Sequence, residues 1–307
     1  MTPVSVCIAA YNEENTIDHV LEYCSSLPRD LMDETLVCAN GCTDNTADNV
    51  RAWNRTDSRF RLIEEPKPSK PNAWNILVEQ ARNNTLVFFD ADIKPEEKSL
   101  ENLIVPLEDE EIIATSGVVD FDIPWHNWYT IFEPVYQDGV SGAVYAFKKQ
   151  KMLEKMARWD YQKMPEVCAE DTWVWMLLEK DEFQKVQNAK VIVQPPNFQD
   201  QLRYIARGCV VQQEFQEAHE KIYANWLHEF RFDGDRWKLL RDKAKKIDSL
   251  SLLAYKTAST VIRKTILRLY RSALEEHIVN IKRAYGNNSG SAILNSVARA
   301  ESTKRPF

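Results

Sequence analysis

Asp90 and Asp92 close the run Leu86-Val87-Phe88-Phe89-Asp90-Ala91-Asp92. Side chains of a strand alternate between faces, so carboxylates two residues apart project the same way. Where such a strand ends at the carboxyl edge of an α/β sheet, both emerge at the lip where these sheets bind ligands. Two carboxylates that close repel, and a divalent cation with hard oxygen ligands relieves the repulsion. Asp92-Ile93-Lys94-Pro95-Glu96-Glu97 also reads as an acidic helix start after a strand. The run alone leaves both readings open. A second acidic pair, Glu170-Asp171, opens the amphipathic segment Thr172–Leu178.

Elements of the right kind surround the first pair. Val4–Ala10 reads as a buried strand, and Asn15–Leu27 shows helical spacing in Ile17, Val20, Leu21 and Cys24. Thr35–Ala39 reads as a strand, Thr46–Trp53 as a helix, Phe60–Glu64 as a short strand and Asn72–Arg82 as a helix leading into Leu86–Asp90. Strands alternating with helices predict a parallel sheet with right-handed crossovers. Tyr11-Asn12-Glu13-Glu14 follows the first strand where a dinucleotide-binding domain carries GxGxxG, so that class is not expected.

Composition sets the outer bounds. A chain of 307 residues, 44% hydrophobic, can bury a full core, and only eight glycines argue against a repeat protein. No stretch approaches the roughly 20 uninterrupted apolar residues of a membrane span. Val4–Ala10 follows the first residues without a basic or apolar leader, and the six cysteines (7, 24, 38, 42, 168, 209) are scattered. Cys38 and Cys42 have no third ligand nearby to complete a zinc site. The expectation is reduced thiols in a cytoplasmic protein. Residues 221–307 carry 18 Lys and Arg against 8 Asp and Glu, a balance of +10, whereas residues 1–220 carry −17 of the net −7. An acidic body with a basic appendage follows, the appendage either packing on the body or touching an anionic membrane. A nucleic-acid partner is not expected.

Several segments fall in one order: Ile8 to Glu14, Val37 to Thr46, Lys70-Pro71-Asn72-Ala73-Trp74-Asn75, Phe88 to Asp92, Gly139-Val140-Ser141-Gly142-Ala143 and Ala169-Glu170-Asp171-Thr172. The series resembles the family-two glycosyltransferases over roughly residues 3–210. The resemblance implies an α/β GT-A fold, a Rossmann-like mostly parallel sheet flanked by helices. It further implies an inverting hexosyltransferase that uses a nucleotide-diphosphate sugar. Ala10, Tyr11 and Glu13 then belong to the nucleotide site, Tyr11 offering a face to the base and Glu13 accepting from ribose hydroxyls. Asn40 stands where the family places Asp, and its carbonyl would meet uracil through a weaker, uncharged bond. A UDP-sugar is the favoured donor. Asp44 reads as an Asx-turn and helix cap. Lys70 and Asn75 take positions that face the sugar nucleotide, Lys70 as a point charge for the diphosphate. Asp90, Ala91 and Asp92 become the metal motif, with Asp92 the direct ligand of Mn²⁺ or Mg²⁺ and Asp90 beside it. Of Glu170 and Asp171, the second acid is the base that deprotonates the acceptor hydroxyl.

Gly142, Trp125 and Trp128 mark the acceptor side, although the two indoles at i, i+3 suit a helical core stripe equally well. Of Trp173 and Trp175, on different faces of one helix, at most one lines the site. Processive members carry Gln-x-x-Arg-Trp after the acidic pair. Here Asp200-Gln201-Leu202-Arg203-Tyr204-Ile205-Ala206-Arg207-Gly208 stands instead, so transfer of a single sugar is expected, with Arg203 or Arg207 as diphosphate contacts. The acceptor is a glycan, a lipid-linked group or a peptide. Domains are expected over 1–210, catalytic, and 211–307, a basic, mainly helical extension. Val210–Phe232 reads as helical, Arg236–Lys246 as basic, and Leu250–Leu274 as a basic amphipathic run suited to the inner face of a membrane. Two alternatives stand beside this reading: a non-catalytic nucleotide-sugar-binding homologue, and a sugar-nucleotide nucleotidyltransferase.

Overall fold

The computed structural model describes residues 3–121, 139–167 and 169–194, and, further along, 207, 210–211, 214–229 and 276–280. The chain divides into two compact units, 1–122 with 136–194, and 123–135 with 195–307.

In the first unit the elements run β1 (Val4–Ala10), α1 (Ile17–Ser26), β2 (Met32–Asn40), α2 (Thr46–Thr56), β3 (Phe60–Glu65), α3 (Lys70–Gln80), β4 (Thr85–Asp90), β5 (Ile93–Pro95), α4 (Ser99–Ile104), β6 (Ala114–Phe121), β7 (Val144–Lys148), α5 (Lys149–Arg158), α6 (Glu170–Met176) and β8 (Phe183–Val193). One curled eight-stranded sheet results, in the order β3-β2-β1-β4-β7-β6-β8-β5. It is a GT-A sheet, with helices packed on it. The expected parallel pairing holds through β3-β2-β1-β4, whereas β7 runs antiparallel to both β4 and β6, so the whole is mixed. Burial explains the first half. β1 and β2 are covered on both faces and read as nearly continuous apolar runs, which is what parallel strands under helices require. α1 turns Ile17, Val20, Leu21 and Cys24 inward at i, i+3, i+4 and i+7.

The amino-terminal edge of the sheet is fixed by a buried carboxylate, Glu34. It accepts from the Ser5 hydroxyl at 2.7 Å, the Arg82 amide at 2.8 Å and the Arg61 guanidinium at 2.5 Å. A buried charge holds only when paired and hydrogen-bonded in this way. With that edge pinned, the opposite edge is free to carry function.

In the second unit the described residues of the predicted 210–232 helix are largely helical, ending in α7 (Glu220–Glu229), with Val210, Phe215 and Ile222 buried. The runs 236–246 and 250–274 lie outside the described residues. No helix among the described residues is long and apolar enough to cross a membrane.

Candidate active site

β1 pairs in parallel with β2 on one side and β4 on the other, Ala10 opposite Ala39 and Ala9 opposite Asp90. The strand order reverses about β1, so the crevice beyond its carboxyl end is the binding position of such sheets. Two loops build its rim. Asn12 takes a left-handed φ of 56°, a conformation asparagine tolerates, and its carbonyl accepts from the Thr43 amide at 2.8 Å. Asp44 accepts from the amides of Thr46 and Glu14, both at 3.0 Å, and Thr46 in turn accepts from the Glu13 amide at 2.7 Å. Asp44 thus makes the expected Asx turn, although the N-cap position of α2 falls on Asn45, and it also stitches the two loops together. Gly41, at φ 69°, is required here, because a Cβ would lie 2.7 Å from the Pro68 ring. Tyr11 stands on this rim 52% exposed, an aromatic face open to solvent. Burial, with Asp92 and Asp44 adding to it, raises the pKa of Glu13.

Beneath the rim lies a charge cluster. The Lys70 ammonium, in the first turn of α3, sits 2.7 Å from Asp90 Oδ1 and 2.6 Å from Glu170 Oε1. One cation therefore joins the end of β4 to the start of α6. Burial opposes the charge on Lys70, but Asp90 and Glu170 hold its pKa above the usual lysine value. Asp90 is pushed up to about 6: burial is the main cause, with Asp92 and Glu170 adding to it against the pull of Lys70.

Asp171 is held differently. Its Oδ2 accepts from the Gly142 amide at 2.9 Å and its Oδ1 from the Thr172 amide at 2.7 Å. Gly142 leaves little room for a side chain, since a Cβ there would lie 3.1 Å from Asp171 Oδ2 and 3.4 Å from Glu170 Oε1, and the carboxylate would have to give by a few tenths of an ångström. Behind the acids is an aromatic floor. Phe88 stacks on Tyr145 at 5.1 Å and on Phe147 at 5.5 Å, Trp74 stacks on Phe147 at 5.7 Å, and Trp173 meets Trp74 edge-on at 6.4 Å. The Trp74 indole N–H donates to the Tyr145 hydroxyl at 3.1 Å. Water-poor aromatic surroundings strengthen every charge interaction in front of them.

Residues 5–170 match the family model described as Glycosyl transferase family 2. The chain belongs to glycosyltransferase family 2. Among curated relatives, glycosyltransferase AglD of Haloferax volcanii is 32% identical over 120 residues, 37% of this chain and 19% of that protein. Glucosyl-3-phosphoglycerate synthase of Mycolicibacterium paratuberculosis is 36% identical over 109 residues, 34% of this chain and 33% of that protein. The chain thus spans a minor part of the relatives it matches. Among solved structures, the mannosyltransferase PcManGT of Pyrobaculum calidifontis, in complex with GDP-Man and Mn²⁺, superposes with a TM-score of 0.58 at 21% identity, covering 94% of this chain and 87% of that one. Glucosyl-3-phosphoglycerate synthase of Mycobacterium tuberculosis, in complex with Mn²⁺, UDP and glucosyl-3-phosphoglycerate, gives 0.51 at 19% identity, covering 74% and 80%. At such identity these structures speak for the fold.

Within this family-2 chain the structure gathers Ala10, Tyr11, Glu13, Lys70, Asp90, Ala91, Asp92, Gly142, Glu170 and Asp171 around the carboxyl ends of β1 and β4. Two expected donor contacts are otherwise engaged. Asn40 is buried, its amide donating to the Ala10 carbonyl at 2.7 Å and its carbonyl accepting from the Ser69 amide at 3.2 Å, so it cannot read a base as placed. Both amide atoms of Asn75 are taken by the Met164 backbone, at 2.9 and 2.8 Å. Lys70 faces carboxylates, which its sequence neighbours do not disclose. Trp173 is core, and Gly139 closes against Trp175, a Cβ there falling 2.4 Å from the indole. Arg207 is exposed in the second unit, while Arg203, Trp125 and Trp128 lie outside the described residues.

The donor set fits a divalent metal. Asp90 and Glu170 share the one Lys70 ammonium and Asp92 adds its charge beside Asp90, which leaves excess negative charge at the strand end. Among the described residues no three ligating side chains form a closed metal cage. An exposed aspartate next to a crevice suits an ion that takes the rest of its ligands from substrate phosphate, as Mg²⁺ commonly does.

Proposed function

We propose that this chain transfers a single sugar from a nucleoside-diphosphate sugar to a hydroxyl acceptor, with inversion at the anomeric carbon. The observation that carries the reading is the Lys70 bridge, which ties the strand end bearing Asp90 and Asp92 to the helix start bearing Glu170 and Asp171. A protein that only bound nucleotide would have no use for a second, separately oriented carboxylate.

Tyr11 stacks on the base and Glu13 receives the ribose hydroxyls. Asp92, with Asp90 beside it, would hold Mn²⁺ or Mg²⁺, Mn²⁺ being the ion in both structural neighbours named above. When bound, the ion supplies Lewis-acid neutralisation of charge on the diphosphate. The acceptor oxygen bonds to the anomeric carbon as the bond from that carbon to the phosphate oxygen breaks. The acceptor proton passes to Asp171, and the bonding electrons leave on the nucleoside diphosphate. Glu170 is less suited to be the base, because Lys70 holds it in an ion pair. Lys70 offers its charge to the diphosphate while keeping Glu170 in place. The catalytic region is residues 1–210. The basic stretch 211–307 suits a lipid-linked or otherwise anionic acceptor surface on the cytoplasmic side of a membrane.

Purified protein incubated with UDP-, GDP- and dTDP-sugars, with Mn²⁺ or chelator, tests the reading through nucleoside diphosphate release. Metal-dependent release from one donor, lost in Asp92→Ala, is expected. With Asn40 engaged elsewhere, GDP-sugars belong in the panel on equal terms with the favoured UDP-sugars. Metal-independent release, or no release and no donor binding across the panel, would overturn the reading.

A further inference from the structure

Residues 164–167 and 169–171 lead to Glu170 and Asp171, and three side-chain ties join them to α3 and its N-cap. The Asn75 amide donates to the Met164 carbonyl at 2.9 Å while its carbonyl accepts from the Met164 amide at 2.8 Å, a two-point pin that fixes both the place and the orientation of that residue. The Ser69 hydroxyl donates to Glu166 Oε2 at 2.7 Å while accepting the Asn72 amide at 3.1 Å, so the cap of α3 is itself a tether. The Lys70 ammonium holds Glu170 at 2.6 Å. Between the ties Met164 and Val167 are buried, so the segment is also seated in the core.

We propose that α3 is the platform that positions the catalytic base, with Asn75 and Glu166 as positioning residues that act through segment 164–171 and touch no substrate. This rests on the transferase reading above, and it takes Asn75 away from the donor. The ties succeed one another at 164, 166 and 170 of the one segment and at 75, 69 and 70 of α3 and its N-cap. Base and Lys70 therefore share a rigid support, and donor-side and acceptor-side groups keep a fixed separation. A displacement of about 1 Å in such a pair can cost about 100-fold in rate.

Hydrogen exchange and binding on the full chain test it with Asn75→Ala and, as a surface substitution expected to fold, Glu166→Ala. The expected result is faster exchange across 164–172, roughly tenfold or more for Asn75→Ala and less for Glu166→Ala, with β1 and β4 unchanged. Affinity for UDP or GDP with Mn²⁺ should stay within about twofold, while cleavage of UDP-glucose or GDP-mannose at saturation falls roughly 10- to 100-fold. Asn75→Asp, which keeps the bond to the Met164 amide, should recover part of both losses. Unchanged protection in both variants overturns the proposal, as does a tenfold loss of nucleotide affinity with protection intact, which would return Asn75 to the donor. If the wild-type chain binds neither diphosphate, the transferase reading itself fails, and the proposal falls with it whatever the exchange shows.

Discussion

Replacing Lys70 by methionine removes one charge and little volume from the middle of the site. Asp90 and Glu170 each lie within 2.7 Å of the same nitrogen. Their oxygens are therefore within about 5 Å of one another, where two unit charges at an effective dielectric near 20 repel by about 3 kcal/mol. The Lys70 and Asp90 side chains are 38% and 29% exposed, so solvent screens part of this, and one carboxyl can take up a proton instead. A net loss of about 2 kcal/mol remains, which for a unit of this size lowers its unfolding temperature by roughly 4–8 °C. Thermal unfolding without metal is the assay, because a divalent ion would partly replace the missing cation. Lys70→Met with Glu170→Gln removes the repulsion as well as the bridge, and should recover at least half of the loss. A Lys70→Met protein as stable as wild type would refute the bridge. A double variant less stable than the single one would show that the loss comes from packing.

Gly142→Ala brings a Cβ to 3.1 Å from Asp171 Oδ2, so the base or its loop must give by a few tenths of an ångström; a fall of about 3- to 10-fold in saturating turnover, with donor affinity held, is expected from single-turnover and binding measurements. Asp171→Asn keeps the shape but cannot take the acceptor proton, so transfer should fall by roughly 10²–10⁴ while metal-dependent donor binding persists in calorimetry. Glu34→Ala strips a buried carboxylate from Arg61, Arg82 and Ser5 and should cost about 3–5 kcal/mol in urea unfolding without changing nucleotide affinity in the protein that remains folded.

The half of the fold that follows local rules was the legible half. β1 to β4 announce themselves because helix and strand periods alternate, and β1, β2 and β4 are largely buried on both faces while β3 is a half-buried edge strand. β6 and β8 do not, since β6 carries Gly117 and β8 intersperses Gln, Lys and Asn among its valines along a half-exposed strand. β7 is five residues inserted antiparallel from far along the chain, a pairing that no local pattern encodes. At the site, Asp90 at a strand end and Glu170 and Asp171 at a helix start could be named from local patterns, whereas Asp92 lies in the turn after β4, past the reach of strand alternation. Asn75 lies about 140° around the helix from Lys70, and its bonds to the Met164 backbone join segments far apart in sequence, which no local pattern encodes. Asn40 needed tertiary information, because its partners, Ala10 and Ser69, come from two other connections.

The central claim is that Asp92 and a divalent ion together hold a nucleoside diphosphate at the end of β4. Calorimetry of UDP and GDP with wild type and Asp92→Ala, in Mn²⁺ and in chelator, tests it most directly. One diphosphate should bind wild type in Mn²⁺ and lose at least about tenfold in affinity on chelation or in the variant. Equal binding in all four conditions, or none in any, would contradict the account.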